Sequence, residues 1–88
     1  EKGVEFLYTV YAAGGESAPA DAPIDHGGRE FGIVVSGTLE VRVGDEQFTL
    51  TPGDTVYFDS TIPHRLHNAG TEDAHAIWVV LGRHHDPQ

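Results

Sequence analysis

The stretch HGGREFGIVVSG, residues 26–37, sets a histidine and a glutamate immediately before an apolar run. His26 and Glu30 are four residues apart, a spacing that would place them on one face of a helix. The two glycines at 27–28 and the β-branched run at 33–35 favour a strand instead. Because side chains alternate along a strand, the even separation can also turn both groups to one face. The stretch therefore predicts a strand with an imidazole and a carboxylate aimed at one spot.

Short apolar or alternating runs continue along the chain, separated by Gly, Pro, Asp and Asn, and none has a helical period. TLEVRV, residues 38–43, alternates apolar with charged side chains, as a strand with one wet face does. TPGD, residues 51–54, fits a type II turn with proline second and glycine third. The runs predict seven or eight strands in an all-β sandwich or small barrel. The predicted strands cover residues 4–12, 30–36, 38–43, 46–50, 55–59, 64–68 and 74–82, with loops at 14–23 and 69–73.

The chain length of 88 residues predicts a single domain, 1–88, with a core at about 4–82 and a tail at 83–88. Such a size is near the lower limit for folding alone, so a bound ligand or a dimer is expected. The chain has no cysteine, which excludes disulfides and thiolate metal sites. Histidine and carboxylate are the side chains that remain for binding a metal.

Five Lys and Arg residues against fourteen Asp and Glu residues give a net charge of −9, and the cations are scattered singly. A phosphate backbone needs clustered cations, so no nucleic acid is expected to bind through this segment. No apolar run approaches a membrane span and no signal segment opens the chain, which predicts a cytoplasmic location without membrane contact.

A second histidine cluster lies in TIPHRLHN, residues 61–68. His64 shares strand parity with Leu66, whereas Arg65 and His67 face the other way. If Leu66 points inward, so does His64, and a buried imidazole needs a hydrogen-bond partner, a metal or a polar ligand. His26, Glu30 and His64 would then form a two-histidine, one-carboxylate set of the kind that holds Fe, Mn, Ni or Zn. The alternatives are a satisfied core histidine at 64 and, for His26 and Glu30, a loop histidine and a solvated carboxylate at the start of a strand.

The two segments resemble the paired motifs of the cupin superfamily. The first matches His-x3-Glu-x6-Gly, and PGDTVYFDSTIPHRLHN matches Gly-Asp…Pro-His-x3-Asn; the resemblance covers residues 20–81. It implies an all-β, cupin-type antiparallel β-barrel (jelly roll), usually a homodimer, in which His26, Glu30 and His64 match metal ligands. One departure is Ile24, which stands where the family commonly has another histidine, so the resemblance implies a three-ligand site or none.

A narrower resemblance is to the C-terminal cupin of bacterial transcriptional regulators with an N-terminal helix-turn-helix. It implies a small-molecule-sensing homodimer whose full-length form would contact DNA through that other domain. One alternative is a metal-dependent enzyme of the dioxygenase or isomerase type, for which Tyr57 and His67 are the acid–base candidates that the residues offer. Another is a stand-alone binding protein without turnover.

Several further residues have structural interpretations. Gly37 and Gly53 are predicted turn glycines, and Asn68 is predicted to hydrogen-bond neighbouring backbone. Four aromatic residues are predicted to lie in the core or a dimer interface, with one or two in the pocket wall: Tyr8, Tyr57, Phe58 and Trp78.

Overall fold

The computed structural model describes residues 3–15 and 28–82, which form seven strands. Every predicted strand is confirmed, with shifts of one residue at some ends. No helix in these residues has the length and apolar composition that a bilayer crossing requires. The strands are β1 (Val4–Tyr11), β2 (Arg29–Ser36), β3 (Leu39–Val43), β4 (Glu46–Leu50), β5 (Thr55–Asp59), β6 (His64–His67) and β7 (Ala74–Leu81).

The strands form two sheets, in the orders β1-β7-β2-β5 and β4-β3-β6. All five strand pairings are antiparallel, so the all-β antiparallel prediction is confirmed. Across residues 3–15 and 28–82, no hydrogen-bonded ladder joins one sheet to the other. Closure into a barrel therefore stays a prediction from the family resemblance.

The core lies between the inner faces of the two sheets. Alternate residues of β7 are buried along its whole length, as period-two alternation requires when one face is covered. Trp78 lies over Gly32 of the neighbouring strand, where an added Cβ would stand 2.5 Å from the ring. Gly32 is therefore a packing glycine. The buried apolar residues are Val34, Leu39, Val41, Leu50, Phe58, Leu66, Ala74, Ala76, Trp78 and Val80.

Two predicted turn glycines have the backbone that their turns require. Gly53 has a φ of 92°, and the N–H of Asp54 donates to the carbonyl of Thr51 at 2.8 Å, which confirms the type II turn. Gly37 has a φ of 81° and leaves no room for a Cβ, which would lie 2.5 Å from the carbonyl oxygen of Asp73. Both positions are therefore restricted to glycine for conformational reasons.

Asn68 is fully buried just beyond β6 and confirms its predicted role. Its amide donates to the carbonyls of Tyr11 and Glu72, both at 2.8 Å, and its side-chain oxygen accepts the N–H of Gly70 at 2.8 Å. These bonds fasten the end of β1 to the hairpin loop before β7. A buried amide with its hydrogen bonds satisfied stabilises the fold.

Candidate functional site

Glu30 lies on the inner face of the four-stranded sheet, in the second position of β2. The ladder pairs it with Phe58 of β5 and Val80 of β7, and its side chain is only 14% exposed. The hydroxyl of Ser60 donates to Glu30 Oε2 at 3.1 Å. The N–H of Ser60 in turn donates to the carbonyl of Gly28 at 2.9 Å, which extends the ladder beyond β5. The strand pairing therefore holds the carboxylate in a fixed orientation.

His64 begins β6 and approaches Glu30 from the opposite sheet, with its side chain 26% exposed. Its Nδ1 lies 2.8 Å from the carbonyl oxygen of Ile62. A carbonyl can only accept a hydrogen bond, so Nδ1 carries the proton. In the neutral ring, Nε2 then has a free lone pair. This contact with the backbone is the kind that fixes the tautomer of metal-bound histidines.

The lone-pair side of His64 faces Glu30 across a gap. Nε2 and Oε2 are 3.8 Å apart, longer than a hydrogen bond between the two groups. In the neutral form of the ring both atoms are acceptors, and neither satisfies the other. The pair either takes up a second proton on the ring and forms an ion pair, or it accommodates a cation or a donor group of a ligand. The chemistry of these two donors fits a divalent transition metal.

Aromatic side chains border the same inner space. The ring centroid of Phe58 lies 4.7 Å from that of His64 and 6.2 Å from that of Trp78. The indole N–H of Trp78 donates to the hydroxyl of Tyr11 at 3.1 Å. Burial raises the pKa of Tyr11, and the negative charge of Glu30 acts in the same direction. Tyr11 is therefore a neutral phenol on the inner side of the sheets.

The structure brings together two members of the predicted metal set. Glu30 and His64 meet as expected from strand parity, because Leu66 is buried and His64 shares its direction. His26 lies outside the described residues. Among residues 3–15 and 28–82 no group of three or more His, Cys, Asp and Glu residues could hold a metal. Metal ligation by His26, Glu30 and His64 stays a prediction.

The acid–base candidates do not face this site. Tyr57 is exposed on the outer face of β5, where its ring stacks on Phe31 with centroids 4.4 Å apart. His67 has the parity of Arg65 and lies on the outer face of the three-stranded sheet. Neither side chain therefore points toward the Glu30–His64 gap, as catalysis there would require. Tyr8 is also on an outer face, whereas Phe58 and Trp78 are in the core, as predicted.

A second histidine–glutamate pair offers a comparison. His67 Nδ1 lies 3.7 Å from Glu40 Oε1, and both side chains are 35% exposed. The pair borders a shallow outer-face depression of about 160 Å³ with Arg42, Gln47 and Arg65. Solvent screens such an exposed pair. It is therefore less enclosed than Glu30 and His64, whose side chains are 14% and 26% exposed.

Three groups at the site had no sequence prediction: the hydroxyls of Ser60 and Tyr11 and the carbonyl of Ile62. Ser60 reaches Glu30 only because β2 pairs with β5, a contact between residues thirty positions apart. One sequence feature could have indicated the carbonyl of Ile62. Pro63 limits how the chain enters β6 and leaves that carbonyl near the ring of His64.

Comparisons with known proteins agree with this fold. The family model described as the cupin domain, Cupin_2, matches residues 7–80. A crystal structure of the Cupin_2 domain of an XRE family transcriptional regulator from Enterobacter cloacae is similar, with a TM-score of 0.79 and 27% identity. That match covers 97% of this chain and 83% of the other.

Two further relatives show the breadth of the likeness. A Cupin 2 conserved barrel domain protein from Salinispora arenicola superposes with a TM-score of 0.75 at 23% identity, covering 88% of this chain and 61% of that one. The xanthan biosynthesis protein XanB of Xanthomonas campestris is 42% identical over 57 residues, which is 65% of this chain. The chain spans only 12% of the length of that curated relative.

Proposed function

The chain belongs to the Cupin_2 family of cupin domains, and from that premise we propose that it is the small-molecule-sensing domain of a bacterial transcriptional regulator. The observation that carries the proposal is the pair of acceptors, Glu30 Oε2 and His64 Nε2, which face each other 3.8 Å apart on the inner side of the sheets. The likeness to the domain of an XRE family regulator supports the regulatory context.

The ligand binds at this pair, directly or through a metal. Fe, Mn, Ni or Zn would be held by Glu30 and His64, with His26 as the third ligand that the family resemblance implies. The bound metal would supply Lewis acidity toward an oxygen of the ligand. The chain itself contributes a carboxylate oriented by Ser60, a fixed imidazole tautomer, and the aromatic walls around them.

Sensing requires two states with different affinity for the ligand. In a homodimeric regulator, ligand binding would favour one arrangement of the two cupin domains. That arrangement would set the spacing of the DNA-binding domains attached to them. We expect the gene to encode a helix-turn-helix ahead of residue 1. A coding region without one would contradict the proposal that the chain is part of a regulator.

A metal-dependent enzyme of the dioxygenase or isomerase type is the second candidate. The likeness to a xanthan biosynthesis protein favours it, although that match covers a small part of the relative. The described inner face offers the neutral phenol of Tyr11, which accepts the indole N–H of Trp78, as a proton-bearing group. Turnover of a sugar or oxidisable substrate by the metal-loaded chain, lost in Tyr11→Phe with metal affinity retained, would favour the enzyme over the sensor.

Calorimetric titration of Zn²⁺ into chelator-treated protein tests the site. The titration uses a chain with His84→Ala and His85→Ala, so that tail histidines do not add their own binding. His64→Ala and Glu30→Gln are expected to abolish tight binding, because each removes a ligand. Ser60→Ala leaves the ligands in place but releases the carboxylate, and should weaken binding about 10–100-fold.

His67→Ala is the matched control, since it removes an imidazole that lies 3.7 Å from a glutamate on the outer face. It is expected to leave Zn²⁺ affinity unchanged. Wild-type affinity in His64→Ala, or equal losses in His67→Ala and His64→Ala, would contradict binding at the inner pair.

A further inference from the structure

The outer face of the three-stranded sheet carries two arginines side by side. Arg42 of β3 and Arg65 of β6 are directly opposite each other on the ladder, and Gln47 of β4 extends the row across the sheet. Both arginine side chains are exposed. Like charges directly opposite each other destabilise a ladder. An anion that neutralised both guanidinium groups would therefore stabilise this pairing.

This pair stands out in an acidic chain, which has five Lys and Arg residues against fourteen Asp and Glu residues. Three of the cations lie in the part of the chain that the structure describes, and two of the three form this pair. The third, Arg29, donates to the hydroxyl of Tyr57 at 3.2 Å on the other sheet. Across residues 3–15 and 28–82, no carboxylate forms an ion pair with Arg42 or Arg65. Their charges are therefore available to an anion from solution.

The depression of about 160 Å³ lies at this row of side chains. Its one carboxylate belongs to Glu40, which is in the neighbouring row and lies 3.7 Å from Nδ1 of His67. The side-chain amide of Gln47 adds uncharged N–H donors to those of the two arginines. The depression is lined by Glu40, Val41, Arg42, Gln47, Arg65 and His67.

We propose that this depression binds the phosphate group of a small molecule. Each guanidinium presents a planar fork of N–H donors that matches two phosphate oxygens. A phosphate monoester carries a charge of about −1.5 to −2 near pH 7, which two guanidinium groups balance and one would not. A nucleic acid is disfavoured as the source of the phosphate, because its backbone needs a longer run of cations than this acidic chain has.

The phosphate site is separate from the Glu30–His64 pair and goes beyond the proposed function. His64 and Arg65 are consecutive residues of β6, so their side chains point to opposite faces of the sheet. The two sites can therefore be emptied independently by substitution.

A two-dimensional NMR titration of chelator-treated, ¹⁵N-labelled protein with inorganic phosphate tests the proposal. At an ionic strength of about 10 mM, exposed charges are weakly screened. The Nε–H signals of Arg42 and Arg65 are expected to shift along one saturation curve. Arg42→Gln and Arg65→Gln should each weaken binding about 10-fold, the effect of losing one charge-assisted contact. Glu40→Gln should tighten binding, because it removes a like charge beside the phosphate.

Arg65→Lys separates charge from geometry, since it keeps the positive charge but loses the fork. It should recover only part of the affinity lost in Arg65→Gln. Arg29→Gln is the matched control, because it changes the net charge equally on the other sheet, and it should leave binding unchanged. His64→Ala should also leave binding unchanged. The amide spectrum of each variant reports its folding.

The absence of a saturable shift at the two arginines of the wild type would overturn the proposal. Equal weakening in Arg29→Gln would do the same, since it would reduce the effect to overall charge. Loss of binding in His64→Ala would assign the phosphate to the inner pair. Succinate binding as tightly as phosphate would contradict a phosphate ligand and assign the depression to carboxylates.

Discussion

The two faces of the four-stranded sheet are made from alternate residues of the same strands, yet they have different roles. On β2, Glu30 faces the inner space and Phe31 faces outward, and on β5 their ladder partners Phe58 and Tyr57 divide in the same way. The inner face combines the buried core with the carboxylate of Glu30, whereas the outer face is apolar and exposed. The difference shows that apolar character alone does not identify the core of this domain. The core is the face of the sheet that the second sheet covers.

The largest loss of stability is expected from Trp78→Ala, on the inner face. Removing a buried indole leaves a cavity and should cost about 3–5 kcal/mol of unfolding free energy. Urea unfolding of the wild type and the variant measures this loss. Val35→Ala, at a half-exposed outer position, is the control and should change stability by less than about 0.5 kcal/mol. Comparable losses in both variants would mean that the two faces do not differ in this way.

A smaller effect is expected from Gly32→Ala, which adds one methyl group to the inner face. The new Cβ would lie 2.5–2.7 Å from three atoms of the Trp78 ring, so the ring must move, at a cost of about 1–3 kcal/mol. Gly3→Ala is the control, because nothing lies within 4 Å of its Cβ position.

Combining Gly32→Ala with Trp78→Phe sharpens the test. The smaller ring leaves room for the methyl group, so the two losses should not add. Additive losses in urea unfolding would place the clash elsewhere.

The smallest expected effect is a decline in the unfolding free energy at alkaline pH, caused by Tyr11. Burial raises the pKa of Tyr11, so the folded chain holds this proton more tightly than the unfolded chain. The resulting stabilisation is complete below the unfolded-state value of about 10 and is lost as the pH rises through the higher folded-state pKa. One proton limits the decline to about 1.4 kcal/mol per pH unit.

Unfolding free energies between about pH 9 and 12 test this expectation. Tyr11→Phe should remove this part of the decline, whereas Tyr8→Phe, an outer-face control, should retain it. An unchanged decline in Tyr11→Phe would contradict a buried phenol at this position.

Strand parity explains how much of this could be predicted from the sequence. In β3, apolar Leu39 and Val41 alternate with charged residues, so the inward face was evident. The same argument placed His64 inward beside Leu66, and both predictions of direction agree with the structure. Closely spaced turn glycines fixed the strand ends to within a residue.

Parity could not identify the buried side of β7, because AHAIWVVL is apolar on both faces. Nor could it show that β2 lies between β7 and β5, since those pairings join distant residues. That strand order determines which residues meet Glu30, so the contact with Ser60 could not be predicted from the sequence. It also determines that Tyr8 and Tyr57 lie exposed on the outer face, a side that the sequence does not distinguish from the core.

The adjacency of Glu30 and Phe31 restricts how β2 can diverge among relatives. Inserting or deleting one residue ahead of this pair would exchange every downstream side chain between the two faces, sending the phenyl ring of Phe31 to the inner side and the carboxylate of Glu30 to the outside. Substitutions on the inner and the outer face can accumulate separately, because each face uses its own set of alternate positions. An insertion or deletion in this strand would alter both faces at once. Relatives should therefore conserve the length of β2 more strictly than the identity of its residues.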